Sequence, residues 1–333
     1  MFMLTLPFQN AKKQQPVIKA LPTEVKLIEH EGIKWVDIIR PTNKEFEMLK
    51  DVYGFHELLI EDCMTEHQRS KIDSYEDYSF IVLHLPKYRK DCDRIDSVEV
   101  DIFISHDYVV TLHEGEFKPL VDLAQNCQLN EALRKEYMEK GSALLLYEII
   151  KILFDYCFPL LDKIGAKVSE INKQVFLTRS KEMLENISKT KMQIINYRSV
   201  IKPLRSVVIT LEKDIVKYLP KDMDIYFDDI TDKIEKIWDM LENYKEVIES
   251  ADSTFASLTN HTMNGLMRIF TIVQVAILPM TLVSGLFSMN VQGIPMHNYV
   301  MAFWVVFGMI FIPTICIAVV LLINNPTLFI ISF

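Results

Sequence analysis

The chain has 333 residues, half of them apolar and 24% charged, with 36 basic and 45 acidic side chains giving a formal charge of −9. All of that charge lies in residues 1–268. The last 65 residues contain no Asp, Glu, Lys or Arg, where the chain average would place about 16, so a purely soluble enzyme is excluded. An acidic charged part also speaks against nucleic acid as a partner and suits cations. The five cysteines, Cys63, Cys92, Cys127, Cys157 and Cys316, show no metal-ligand spacing. They read as reduced thiols, which excludes a disulfide scaffold. Met1–Phe8 lacks the form of a secretory signal, so residues 1–268 are expected in the cytoplasm.

In chain order, residues 1–140 read as a cytoplasmic α/β domain with a small, partly antiparallel sheet. Strand patterns cover Ile33–Ile39, Tyr78–Leu85, Val98–Ser105 and Tyr108–His113, the last two joined by a turn at His106-Asp107. Between the first two, Pro41-Thr42 starts a helix over Asn43–Tyr53. Residues 141–228 are helical, with one long helix expected over Ser142–Lys173 and another over Lys181–Lys213, broken or bent near Pro203.

Residues 229–289 form a stalk that runs into the first membrane span. Ile230, Ile234, Ile237, Leu241, Tyr244, Ile248, Ala251, Phe255 and Leu258 keep a 4-3-4-3 spacing without a miss. That heptad seam serves either a helical bundle within the chain or an oligomer. From Asp229 to Met289 the helix would extend roughly 90 Å at 1.5 Å per residue. The first span is Ile269–Met289, the loop is 290–298, the second span is Tyr299–Ile323 and the tail is 324–333. Each span is long enough to cross a hydrocarbon core of ~30 Å. So short a loop makes the two spans a hairpin, and the charged part without a secretory signal places both of its ends in the cytoplasm.

The same 3/4 spacing continues through the first span as Asn264, Met267, Thr271, Gln274, Leu278, Thr281, Gly285 and Ser288, a largely polar stripe on an apolar helix. Such a stripe faces a partner helix or water. Hydroxyl and small residues serve as interhelical glue equally well, but an amide at the depth of Gln274 is costly unless solvated or paired. Two spans cannot enclose a pathway, so a pore requires several copies of the chain. No P-loop, Rossmann glycine pattern, GxSxG elbow or HExxH is present, so no enzymatic activity is expected. The spans also carry no carboxylate for a proton relay.

The stretch HTMNGLMRIFTIVQVAILPMTLVSGLFSMN resembles the first transmembrane helix of the CorA family of divalent-cation (magnesium) transporters. The family's Gly-Met-Asn triplet is written here Ser288-Met289-Asn290. Trp35–Pro86, Leu144–Ile164, Ile201–Asp214 and Tyr226–Glu235 resemble the family's cytoplasmic part in the same order, and the loop NVQGIP followed by AFW is closer to the ZntB zinc-transport branch. The resemblance implies an α+β cytoplasmic domain, long helices forming a funnel, a two-helix C-terminal transmembrane hairpin and a homopentamer in the inner (plasma) membrane. By position, Asn290 matches the asparagine at the outer mouth, and Asn264, Met267, Leu278, Thr281 and Gly285 match pore-lining positions. Phe270 matches an apolar position near the inner constriction, and Gln274 stands where a small residue is usual. Asp62 and Asp229 match two carboxylates that bind a regulatory metal across a subunit interface, with Glu61 and Asp228 beside them. Substrate and regulator would be a divalent cation, Mg²⁺ first, with Zn²⁺, Co²⁺ and Ni²⁺ as alternatives, and no further cofactor. The departures are Ser288 in place of glycine and an apolar tail where a basic one is usual. They leave open a second reading, a non-conducting membrane-anchored scaffold or metal sensor of the same fold.

Overall fold

The computed structural model describes residues 23–65, 69–91, 93–178, 180–214, 218, 224–288 and 302–323. They divide into two compact units. The first contains residues up to Gln174 together with Glu185–Glu249, and the second contains Val175–Leu184 together with the chain from Ser250 onward.

The first unit is built on a six-stranded sheet: β1 (Glu24–His30), β2 (Ile33–Ile39), β3 (Lys71–Ser74), β4 (Ser79–Arg89), β5 (Arg94–Ile104) and β6 (Tyr108–His113). The spatial order is β1-β2-β6-β5-β4-β3. Only β2 and β6 pair in parallel, and every other neighbour is antiparallel. The mixed sheet and the β5–β6 hairpin match expectation, as do the bounds of β2 and β6. β1 and β3 carry no such signal. β1 turns into β2 through Glu31 and Gly32, both at positive φ (47° and 87°), the geometry of a tight two-residue hairpin.

One face of the sheet is covered by α1 (Asn43–Tyr53) and α2 (Glu57–Met64). α1 starts where Thr42 caps it, its backbone N–H donating to Oε2 of Glu45 at 2.9 Å, and stops at Gly54 in the left-handed region (φ 67°). Phe46 and Leu49 of α1 and Leu59 and Ile60 of α2 pack on Val36, Ile38, Phe80, Val82 and Phe103. At the centre, Phe55 stacks on Phe103 with ring centroids 4.0 Å apart. The strands are buried on the opposite face too, where Trp35, Ile81, Leu83, Val100 and Ile102 lie under α3 (Lys118–Leu129), α4 (Glu131–Met138), α5 (Ser142–Asp155) and α6 (Cys157–Gln174).

One helix expectation is corrected and another is narrowed. Ser142–Lys173 is not one helix but α5 and α6, parted at Tyr156. Pro159 has no N–H to give the carbonyl of Asp155 and is tolerated only in a first turn, so the chain restarts there. Conversely, Pro203 does not break its helix: α7 runs unbroken over Lys181–Asp214.

α8 (Asp224–Ser288) is continuous over 65 residues, as the stalk reading anticipates. Within the first unit its seam residues Ile230, Ile234, Ile237, Leu241 and Ile248 are buried inside the single chain. The seam there serves the intramolecular bundle. Ion pairs fasten its flanks: Lys233 to Asp155 at 2.5 Å, Arg205 to Glu235 at 2.6 Å, and Arg198 to Glu242. Trp238 lies beneath both arginines, whose guanidinium carbons are 5.0 and 4.9 Å from its ring centre. In the second unit, α8 continues from Ser250 to Ser288, and α9 spans Ala302–Ile323 with no charged residue.

Candidate functional site

From Asn264 to Ser288 the stripe occupies one face of α8, because a 3/4 alternation tracks the helical repeat. All eight of its residues are exposed in the single chain. Phe270, three residues after Met267 and four before Gln274, flanks the same face; Met267 and Phe270 are 59% and 68% exposed.

The hydroxyls share a geometry. Thr271 Oγ1 donates to the carbonyl of Met267 at 2.8 Å, Thr281 Oγ1 to Leu278 at 2.9 Å, and Ser288 Oγ to Gly285 at 2.8 Å. Each O–H is thereby turned back onto its own helix, and the oxygen keeps its lone pairs for an outside donor. Gly285 presents bare backbone: nothing lies within 4 Å of where a Cβ would stand. Pro279 lies within the helix and cannot donate to the carbonyl of Val275, which loses its helical hydrogen bond. The stripe is thus a ladder of acceptor oxygens between apolar side chains, suited to accept from ion-bound water. Met289 and Asn290 of the triplet, the ZntB-like loop and the tail lie outside the described residues.

The two candidate regulatory carboxylates are each engaged within the chain. Asp62, near the end of α2, has Oδ2 at 2.6 Å from Nζ of Lys71, and the same ammonium lies 2.7 Å from Asp73. Asp229, in the first turns of α8, accepts at Oδ2 a hydrogen bond of 3.1 Å from the hydroxyl of Tyr147. Burial and this carboxylate together push the Tyr147 phenol above its usual range. Glu61 and Asp228 are exposed beside them. Sequence reasoning missed Lys71 and Tyr147, which approach across nine and 82 residues and share no local pattern with their partners. Among the described residues, no three His, Cys, Asp or Glu side chains are grouped to hold a metal ion directly.

α8 contains a stretch long and apolar enough to cross a membrane. Comparison with known proteins agrees with this architecture. The profile of the CorA-like Mg2+ transporter protein family matches residues 30–322. A putative metal ion transporter of Bacillus subtilis is 27% identical over 303 residues, covering 88% of this chain and 92% of its own. A cobalt/magnesium transport protein CorA of Thermotoga maritima is 26% identical over 290 residues, covering 87% and 77%. Among solved structures, the complete CorA magnesium transporter of Methanocaldococcus jannaschii shares the fold, with a TM-score of 0.72 at 20% identity over 92% of this chain and 98% of that one. With one profile spanning the sheet, the helical bundle and α8, this chain belongs to the family of CorA-like Mg2+ transporter proteins.

Proposed function

We propose that this chain transports divalent cations across the inner (plasma) membrane, Mg²⁺ foremost and Zn²⁺, Co²⁺ or Ni²⁺ as alternatives. Several copies, five by family resemblance, set the stripe of α8 around a common axis. α9 makes the second pass, so that both termini face the cytoplasm. The observation that carries this reading is the exposed ladder of Thr271, Thr281 and Ser288, whose hydroxyl protons are committed to α8 itself. Mg²⁺ gives up its waters reluctantly, and neutral acceptor oxygens bind a hydrated ion without trapping it. Gln274 and Asn264 extend the ladder, and a ring of Asn290 would close it at the outer mouth. Met267 and Phe270, bulky and apolar, narrow the inner end, where a ring of such side chains gates by expelling water. The named relatives, which include cobalt/magnesium transport proteins, support the ion class. Asp62 and Asp229 would hold a regulatory divalent ion between subunits. A bridging cation there replaces carboxylate repulsion with attraction and keeps the assembly closed.

The test is ion flux into proteoliposomes with Mg²⁺, Zn²⁺, Co²⁺ and Ni²⁺ in parallel. Flux of at least one ion, lost on Asn290→Ala with assembly intact, supports transport. Zero flux for all four favours the non-conducting scaffold or sensor.

A further inference from the structure

On the face of the sheet that packs against α1 and α2, a cavity of about 800 Å³ is lined by His84, Glu99 and Asp101 from the sheet and by Cys63 and Thr65 from the end of α2. Strand geometry makes the cluster. His84 stands opposite Glu99 in the β4–β5 ladder, and Asp101, two residues further along β5, points to the same face. Phe103 continues that row into the aromatic core, so the two carboxyl groups stand at the edge of the apolar cluster.

Asp101 is only 5% exposed, yet its Oδ1 has no hydrogen-bond partner among the described residues. Its side chain meets the Glu99 carboxyl and the Cys63 thiol; burial first, then the charge of Glu99, hold its carboxyl well above the usual range. A buried acceptor without a donor is costly, and so are two adjacent carboxylates. The nearby cations do not relieve them. Lys87 lies 2.8 Å from Glu116, and Arg89 lies 3.4 Å from Asp96 and 3.7 Å from Glu116. His84 Nε2, at 3.2 Å, reaches Glu99 alone. The C-terminal end of α2 adds partial negative charge at the rim, while the positive end of α1 is met by its own cap residue Glu45.

We propose that this cavity is a cytosolic binding site for a hydrated divalent cation, held by the carboxylates of Glu99 and Asp101 and separate from the Asp62/Asp229 pair. No group of three direct ligands is present among the described residues, so a dry, zinc-like coordination is not what the cavity offers. Two carboxylates in a space of about 800 Å³ suit an ion that keeps most of its water shell, since a water occupies ~30 Å³ of liquid. The proposal does not depend on the pore. It holds or fails whether or not the chain conducts.

The experiment is thermal unfolding of the full chain in detergent, followed by far-UV circular dichroism, in chelator and in millimolar MgCl₂ at matched ionic strength. The native chain is expected to gain a few degrees in Tm with Mg²⁺. In the Asp229→Ala background, which removes the separate inter-subunit site, Glu99→Gln/Asp101→Asn should lose at least half of the gain that remains. In chelator the double variant should melt no lower than the native chain, because it removes the cost of burying two adjacent carboxyl groups. If the double variant folds poorly, Glu99→Gln alone is read the same way. Mn²⁺ bound per chain, counted by equilibrium dialysis in the Asp229→Ala background, should fall by one on adding Glu99→Gln. An equal Mg²⁺ gain with and without the cavity substitutions in that background, no gain in the native chain, or an unchanged Mn²⁺ count overturns the proposal.

Discussion

Tyr244 of α8 closes over Gly165 of α6 so tightly that a Cβ on the glycine would lie 2.7 Å from the Cζ of the tyrosine ring. Gly165 is helical, so its value is the absence of a side chain, which lets the ring of a seam residue cross directly above the α6 backbone. Gly165→Ala should therefore lower stability. Overpacking costs about 1–3 kcal/mol, against a gain of up to about 1 kcal/mol from better helix propensity. Thermal unfolding should show a Tm loss that Tyr244→Leu in the same chain partly restores. A Gly165→Ala variant as stable as the native chain would show that α6 and α8 shift apart at no cost.

A second outcome concerns the fully buried pair Asp37 and His113. Gly115 N–H donates to Nδ1 of His113 at 3.0 Å, so the imidazole proton sits on Nε2 and is donated to Oδ1 of Asp37, also at 3.0 Å. The Thr111 hydroxyl donates to the same Oδ1 at 2.7 Å, and Trp35 Nε1 donates to Thr111 at 3.0 Å. Asp37→Ala strands these donors in the core and should cost about 3 kcal/mol or more. Asp37→Asn keeps the accepting oxygen and should cost clearly less. Chemical denaturation of the three chains checks the order.

Asp93 predicts a pH effect. It receives the hydroxyl of Tyr88 at 2.5 Å and the Gln193 amide at 2.8 Å, with Lys167 at 3.6 Å, and so ties the β4–β5 turn to α6 and α7. The Tyr88 hydrogen bond foremost, with help from Lys167 and Gln193 and against burial, holds its carboxyl below the usual range. A folded-state value below the unfolded one of about 3.9 gives stability that is present above that pH and lost as pH falls through the folded value. Asp93→Asn should cost about 1 kcal/mol or less at pH 7, since the group is partly exposed. The gap to the native chain should close as the pH drops below about 4. A gap that persists at low pH would assign the loss to packing instead of charge.

For the proposed ion pathway, Ser288→Gly should preserve or raise flux, because it gives the triplet the glycine of the family's pattern. Native mass spectrometry in detergent should give a pentamer for both chains. A dimer as the sole species removes the enclosed pathway.

Asp229→Ala should abolish the part of Mg²⁺-dependent protease protection that arises between subunits. Lys71→Met should shift that protection to lower Mg²⁺, by several-fold, since it frees Asp62 from an ammonium now 2.6 Å away. Protection that survives Asp229→Ala unchanged would place the regulatory ion elsewhere.

Much of this protein was legible because its signals are local. The charge-free run after Arg268, the capped start at Thr42 and the alternation of Tyr108–His113 each arise from neighbours in the chain, and they fixed the membrane stretch, α1 and β6. The 3/4 stripe placed Asn264 through Ser288 on one face of α8 for the same reason: helical geometry turns spacing into position. The split at Tyr156 was legible only in part, since proline at a first turn and proline within a helix look alike in sequence, and packing decides between breaking at Pro159 and bridging at Pro203.

What tertiary structure alone decided is pairing at a distance. The seam from Ile230 to Ile248 could serve a neighbouring chain or its own, and only the packed bundle assigned it within the subunit. The strand pattern of Val98–Ser105 puts Glu99 and Asp101 on the face of Phe103, but does not show that α2 and β4 would bring Cys63 and His84 to the same cavity. Lys71 at Asp62 and Tyr147 at Asp229 belong to the same class. A local pattern is set by the covalent repeat of helix or strand, whereas a contact between distant segments exists only once burial of the apolar core has fixed where each element lies.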